Sequence, residues 1–358
     1  MDFEYTEAQR DLSGLARELL TDWAARHPRP GDSGFDPELW RAMAGAGLLE
    51  AALPERVDGG GFGVLEQCAV LIEIGRTVAP APYSTSIAVV AATLAEFGDD
   101  LLVRRRLRPL LRGETTFAAA LARDFAAYKA ERGENGWCVR GSQSVVAAGA
   151  FADGFLIEAR AGANSILLLV DLAAAGVTVT EQQVVNGSDA AILELREVQV
   201  PDGDVILTPE AAGWARRRAA LAVCAHQLGV LERALEMTAE YARTRKQFDK
   251  PIGAFQAVRQ RLADAYIDVE AVRLTLWQAA WRESHGLAAE AEIDVAKFWA
   301  AEAGHRVAHT AVHVHASTGI YLDYPMQRYF TAAKRAEFES GTALTHLRGL
   351  GAFLDAPV

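Results

Sequence analysis

Apolar positions Leu12, Leu15, Leu19 and Trp23 recur at helical spacing behind a capping box, Thr6-x-x-Gln9, and predict a first helix opening at Thr6. The Pro54-Glu55 turn and the Gly59-Gly60-Gly61 run interrupt the pattern. It resumes over 65–76, stops at Pro80-Ala-Pro82, and continues in a further helix to about Leu111. After Gly113 the chain changes to short runs rich in β-branched residues and bounded by Gly, Asn and Asp. Strands are expected over 136–146, 154–160, 165–170, 177–184 and 191–200. From Glu210 the 3.6-residue period returns, in Leu221, Cys224, Leu228, Leu231 and Leu235, and again in Val258, Leu262, Tyr266, Val269 and Leu276. Pro251-Ile-Gly253 and the 319–325 stretch break these helices. The order predicts a mainly α fold with a small central β domain: a helical domain over 1–113, a β domain over 114–208 and a helical bundle over 209–358.

Composition narrows the chemistry. Half of the 358 residues are apolar (51%), enough for a sizeable core, and the net charge of −11 repels phosphate backbones and anionic membranes. The runs Arg104–Arg106 and Arg216–Arg218 are too short for a nucleic-acid face. Cys68, Cys138 and Cys224 are odd in number and lie in apolar surroundings, so they read as reduced core residues. An acidic start and the lack of an apolar run of about 18 residues predict a cytoplasmic protein without a membrane span. His305, His309 and His313, with His315, follow a four-residue step that invites a metal. No carboxylate completes the pattern, and they are read as helix-packing histidines with no metal.

The segment Tyr241-Ala-Arg-Thr-Arg245-Lys-Gln-Phe248-Asp-Lys-Pro-Ile-Gly-Ala-Phe-Gln256 closely resembles the acyl-CoA dehydrogenase hallmark, Arg-x-x-Phe-Gly with a Gln eight residues after the Phe. Only the Gly differs, being Asp249. The resemblance covers the whole chain, from Asp2-Phe3 and Thr6-x-x-Gln9 through Pro54-Glu55 and Val198-Gln-Val-Pro201 to Gly319 and Tyr324-Pro325. It implies the acyl-CoA dehydrogenase fold: an N-terminal helical domain, a β-barrel-like domain and a C-terminal four-helix bundle. It also implies oxidation of the Cα–Cβ bond of an acyl-CoA, with FAD lying between the β domain of one subunit and the bundle of its neighbour. Arg245, Phe248, Gln256 and Gly319 match what the neighbouring bundle lends to that FAD. A guanidinium offers paired donors to phosphate, and Gly lets backbone come close. The alternative for Arg245 and Gln256 is capping of the two helices beside the Pro251 turn.

Other positions depart from the family. Its catalytic Glu precedes a Gly-Thr pair, where this chain has Ser340 before Gly341-Thr342, and a serine accepts no proton without an activating base. The second location used by relatives, early in the helix that ends near Arg245, reads Arg216-Arg-Arg-Ala219 and holds no carboxylate. Glu339, with Glu337 behind it, is the remaining candidate. The flavin-facing strands are altered too: Ala120-Leu-Ala-Arg123-Asp124 stands for a Thr-Glu-Pro-like segment, and Ala147 for the hydroxyl that bonds flavin N5. Groups a subunit gives its own site are missing, while those it lends are kept. This pattern, with Asn186-Gly-Ser-Asp189 and Tyr324-Pro-Met-x-Arg328-Tyr329, is similar to the smaller, base-less subunits of heteromeric bacterial steroid side-chain enzymes. The resemblance implies a heterotetramer with a related subunit, and an electron-transfer flavoprotein as acceptor. The alternatives are a homo-oligomer using Glu339, an FAD-free paralogue, and a relative with altered flavin chemistry.

Overall fold

The computed structural model describes residues 5–27, 34–121, 127–134 and 136–354; Asp2-Phe3 and Arg123-Asp124 lie outside them. Helices α1 (Glu7–Arg26), α2 (Pro37–Gly45), α3 (Val64–Thr77), α4 (Ala92–Phe97), α5 (Asp100–Leu102) and α6 (Arg108–Leu111) come first. Strands β1 (Phe117–Ala120), β2 (Tyr128–Gly133), β3 (Gly136–Val146), β4 (Gly154–Ala161), β5 (Asn164–Asp171), β6 (Val177–Val184), β7 (Gly187–Val200) and β8 (Val205–Ile206) follow. The rest is α7 (Ala211–Thr244), the short hairpin β9 (Lys246–Gln247) and β10 (Lys250–Pro251), then α8 (Gln256–Ser284), α9 (Glu290–His315), α10 (Met326–Phe338) and α11 (Ala343–Leu354). The fold is mainly α with a central β region, as the hydrophobic pattern predicts.

The chain divides into two compact units. One comprises 25–67 and 80–222, the other 1–24, 68–79 and 223–358. In the first, the sheet runs β6-β7-β3-β2-β4-β5-β8, and β1 pairs with β4 in parallel. Phe155, Leu156, Ile157 and Ala159 of β4 are all fully buried, as expected for a strand covered on both faces. Tyr128 is also fully buried, and its hydroxyl donates to the Leu193 carbonyl at 3.0 Å across the sheet core.

In the second unit α9 is the central helix, packed on α8, α10 and α11. Its buried positions are mostly small (Ala296, Ala300, Ala303, Gly304, Ala308 and Ala311), so neighbouring helices come close. The α7 stripe Leu221, Cys224, Leu228 and Leu231 is buried as predicted. Two other stripes are borne out only in part, Trp23 of α1 and Val269 and Leu276 of α8 being buried. In α1 the buried residues are Gln9, Ser13, Ala16, Leu20 and Trp23, while Leu15 faces out, because the Ser13 hydroxyl donates to the buried Glu73 carboxylate at 3.0 Å. In α8 the buried face is Ala265, Val269, Val272 and Leu276, and Tyr266, Ile267 and Leu274 are exposed. Cys138 departs from the core reading as well: its thiol sits on β3 and donates to Glu197 at 2.9 Å, and that hydrogen bond holds its pKa up.

Candidate functional site

The hallmark segment is a helix, a tight hairpin and a helix. β9 and β10 pair Gln247 with Lys250, which leaves Phe248 and Asp249 as a two-residue loop. Both have positive φ, 51° and 61°, the combination that type I′ loops require and that favours Gly at the second place. Asp249 therefore carries the steric cost that a glycine avoids. Asp249→Gly is expected to raise stability by about 1 kcal/mol, read as a higher midpoint in denaturant unfolding; an unchanged or lower midpoint would show that the loop is unstrained.

This conformation pushes the Phe248 ring outward, where it is 86% exposed. Phe248 meets Phe255 edge-on at 6.2 Å, and the Lys250 ammonium sits 4.3 Å above the Phe255 ring. Arg245 and Gln256 flank the hairpin, and both side chains are exposed. Neither makes a hydrogen bond or ion pair with a described residue, so the capping alternative has no support in the geometry. Backbone closes the turn instead: Ile252 N donates to the Arg245 carbonyl at 2.8 Å. Arg245, Lys246 and Lys250 thus make a cationic turn on an acidic protein, with an unpaired guanidinium at its edge. That is a fit for the diphosphate of a dinucleotide.

An aromatic stack ties this turn to the loop after α9. Tyr241, one helical turn before Arg245, stacks on His315 at 4.3 Å, and His315 meets Tyr324 at 5.3 Å. His315 Nδ1 lies 2.8 Å from the Ala311 carbonyl, and burial lowers the imidazole pKa. Its Nε2 is buried without a hydrogen-bond partner among the described residues. Sequence spacing grouped His315 with the other histidines, whereas the structure separates them: His305, His309 and His313 are exposed on α9. Gly319 is buried, and a Cβ there would lie 2.9 Å from His315 Cβ and 3.2 Å from Val312 Cα. Glycine is needed at this position for helix contact alone. Beside it, Ile320, Tyr321 and Leu322 are exposed, Leu322 at 82%.

Ser340, matched by sequence to the family's base position, is also in this unit. It lies beyond the end of α10 with φ 58°, not on a helix. The Glu339 carboxylate is held by Arg335 at 3.1 Å, and Glu337 by Lys334. In the other unit, the early α7 arginines turn inward. Arg216 pairs with the buried Glu158, and the buried Arg218 donates to Gln67. On β3 a bulge falls between Gln143 and Val146, and Val145 sits at φ 56° with its N–H donating to the Gln182 side chain at 2.6 Å. A β-branched residue in that region is an outlier, and Ala147, two residues on, brings no hydroxyl.

These features meet in one family. Residues 6–114 match the acyl-CoA dehydrogenase N-terminal domain and residues 211–354 the acyl-CoA dehydrogenase C-terminal domain. The chain belongs to the acyl-CoA dehydrogenase family, whose members are FAD-dependent oxidoreductases acting on the CH–CH bond of acyl-CoA thioesters. It is 43% identical over 365 residues to acyl-CoA dehydrogenase FadE27 of Mycobacterium tuberculosis, covering 98% of each chain. Among solved structures it resembles a chain of the ChsE4-ChsE5 complex from Mycobacterium tuberculosis, with a TM-score of 0.95, 42% identity and 100% of both chains covered. A variant of the Tcur3481-Tcur3483 steroid ACAD superimposes with a TM-score of 0.91 at 35% identity, over 97% of this chain and 98% of that one. Among the described residues, no helix is long and apolar enough to cross a membrane.

Proposed function

We propose that this chain completes the FAD site of a related partner subunit in a heteromeric acyl-CoA dehydrogenase, and that the partner supplies the base and the flavin-ring contacts. The carrying observation is the exposed, unpaired Arg245 guanidinium beside an 86% exposed Phe248, in a chain with Ser340 at the base position. FAD supplies the hydride acceptor for oxidation of the acyl Cα–Cβ bond. Arg245 would hold diphosphate oxygens, Gln256 would offer its amide to the adenosine half, and the Gly319 loop would lie beside them. Burying exposed Phe248, Ile320, Tyr321 and Leu322 against the partner would stabilise association by up to about 1.5–3 kcal/mol for each large side chain. The Arg335 pair on Glu339 tells against a homo-oligomer that uses that carboxylate.

The assembly we propose is a heterotetramer of two such pairs in the cytoplasm, with an electron-transfer flavoprotein as acceptor. The described cysteines are free thiols, which suits that compartment. Bulky, steroid-like acyl-CoA thioesters are the proposed substrates, by likeness to the steroid ACAD. Expression alone and together with the related subunit tests the assignment. The chain alone is expected to purify without stoichiometric FAD or turnover and the pair with both; FAD and turnover in the chain alone would overturn it.

A further inference from the structure

Three ionisable side chains with no part in the cofactor reading converge on the connection between α10 and α11. Lys297 and His346 are fully buried and Asp294 nearly so. Lys297 Nζ donates to the Gly341 carbonyl at 2.9 Å and reaches the Glu337 carbonyl at 3.4 Å. His346 Nε2 lies 2.9 Å from the Ser340 carbonyl, and its Nδ1 lies 2.7 Å from Asp294 Oδ1. A carbonyl only accepts, so Nε2 carries a proton and Asp294 holds the other edge of the ring. Burying these groups is costly unless each is hydrogen-bonded, and here the donors of two elements are directed at three backbone carbonyls, those of Glu337, Ser340 and Gly341.

The connection itself is strained. Ser340 and Gly341 both have positive φ, 58° and 105°, and a Cβ on Gly341 would lie 2.9 Å from His346 Nε2. Such conformations persist where the surroundings over-determine them. What is gripped is main chain: the Ser340 hydroxyl makes no hydrogen bond with a described residue, and the side chain is half-buried. The grip is therefore independent of the side chain at 340.

We infer that Asp294, Lys297 and His346 are positioning residues that hold a preformed seat at residue 340, so that this chain has lost a carboxylate while keeping the structure that presents one. The inference rests on Ser340 standing at the base position, and its readout is separate from cofactor binding. Amide hydrogen exchange of the full chain, followed over 339–346, tests it. Ser340→Glu and Ser340→Ala are expected to leave protection of this segment unchanged. His346→Leu and Lys297→Met are expected to speed exchange there by roughly tenfold or more, with α7 core amides unaffected. His346→Gln keeps a donor for the Ser340 carbonyl and is expected to recover most of the protection. If Lys297→Met fails to fold, the His346 pair carries the test alone. Loosening by Ser340→Glu as great as by His346→Leu, or equal loosening by His346→Gln and His346→Leu, would overturn the inference. FAD content plays no part in this measurement, so a failed shared site and a failed clamp are told apart.

Discussion

Arg245→Ala is expected to weaken FAD binding by the assembled complex roughly 10- to 150-fold, the loss of about 1.5–3 kcal/mol that follows removal of a charge-assisted hydrogen-bonding group. The guanidinium is exposed and pairs with no described carboxylate, so its deletion leaves no buried partner stranded. Stability of the free chain should change little, within about 0.5 kcal/mol. The effect should appear in the flavin titration of the complex, made from this chain's variant and an unaltered partner. Arg245→Lys should recover only part of the affinity, because an ammonium lacks the paired fork. An unaffected titration would remove Arg245 from the cofactor site.

The largest stability effect is expected in the other unit, at Arg106. Its guanidinium bridges Asp171 (2.5 and 3.0 Å) and Asp204 (3.0 and 3.1 Å), joining the end of β5 to the turn before β8. Burial opposes the charge, but the hydrogen bonds to Asp204 and Asp171 outweigh it and raise the Arg106 pKa. The Asp204 side chain is only 4% exposed, so Arg106→Leu strands a buried carboxylate against which Arg105 alone remains. A loss of about 3 kcal/mol is expected, measured by urea unfolding. The exposed Arg132–Asp202 pair provides the contrast: Arg132→Leu should cost no more than about 1 kcal/mol. Equal costs would show that burial does not set the strength of these pairs.

Much of this architecture is legible in residue order, because its signals are local. β3 and β6 match the expected bounds, and β4, β5 and β7 differ only at their ends, each being rich in apolar residues between turn formers. β1 is Phe-Ala-Ala-Ala and β2 is Tyr-Lys-Ala-Glu-Arg-Gly, so each carries a single aromatic and no β-branched residue, too little of the pattern that marks a strand. The α8 stripe is buried only in its second half, at Val269 and Leu276: Val258, Leu262 and Tyr266 do recur at helical spacing, but on a face that this chain leaves partly uncovered. Periodicity shows that a face is apolar, not what covers it.

The site divides in the same way. Arg245, Phe248 and Gln256, the proposed cofactor contacts, can be picked out of the sequence because a proline turn fixes their separation over twelve residues of continuous chain. The Tyr241–His315–Tyr324 stack and the Asp294–His346–Lys297 grip depend on contacts between distant helices, and single buried polar residues leave no periodic trace. Asp249 and Ser340 were visible as departures from a motif, but their positive φ angles, which give those departures physical meaning, belong to the folded backbone.

The ratio of FAD to protein in the purified complex tests the shared site most directly. If this chain lends an exposed guanidinium and ring to its partner's cofactor and completes no site of its own, each pair of unlike subunits will hold one FAD. Two FAD per pair, or full occupancy of this chain without the partner, would contradict it.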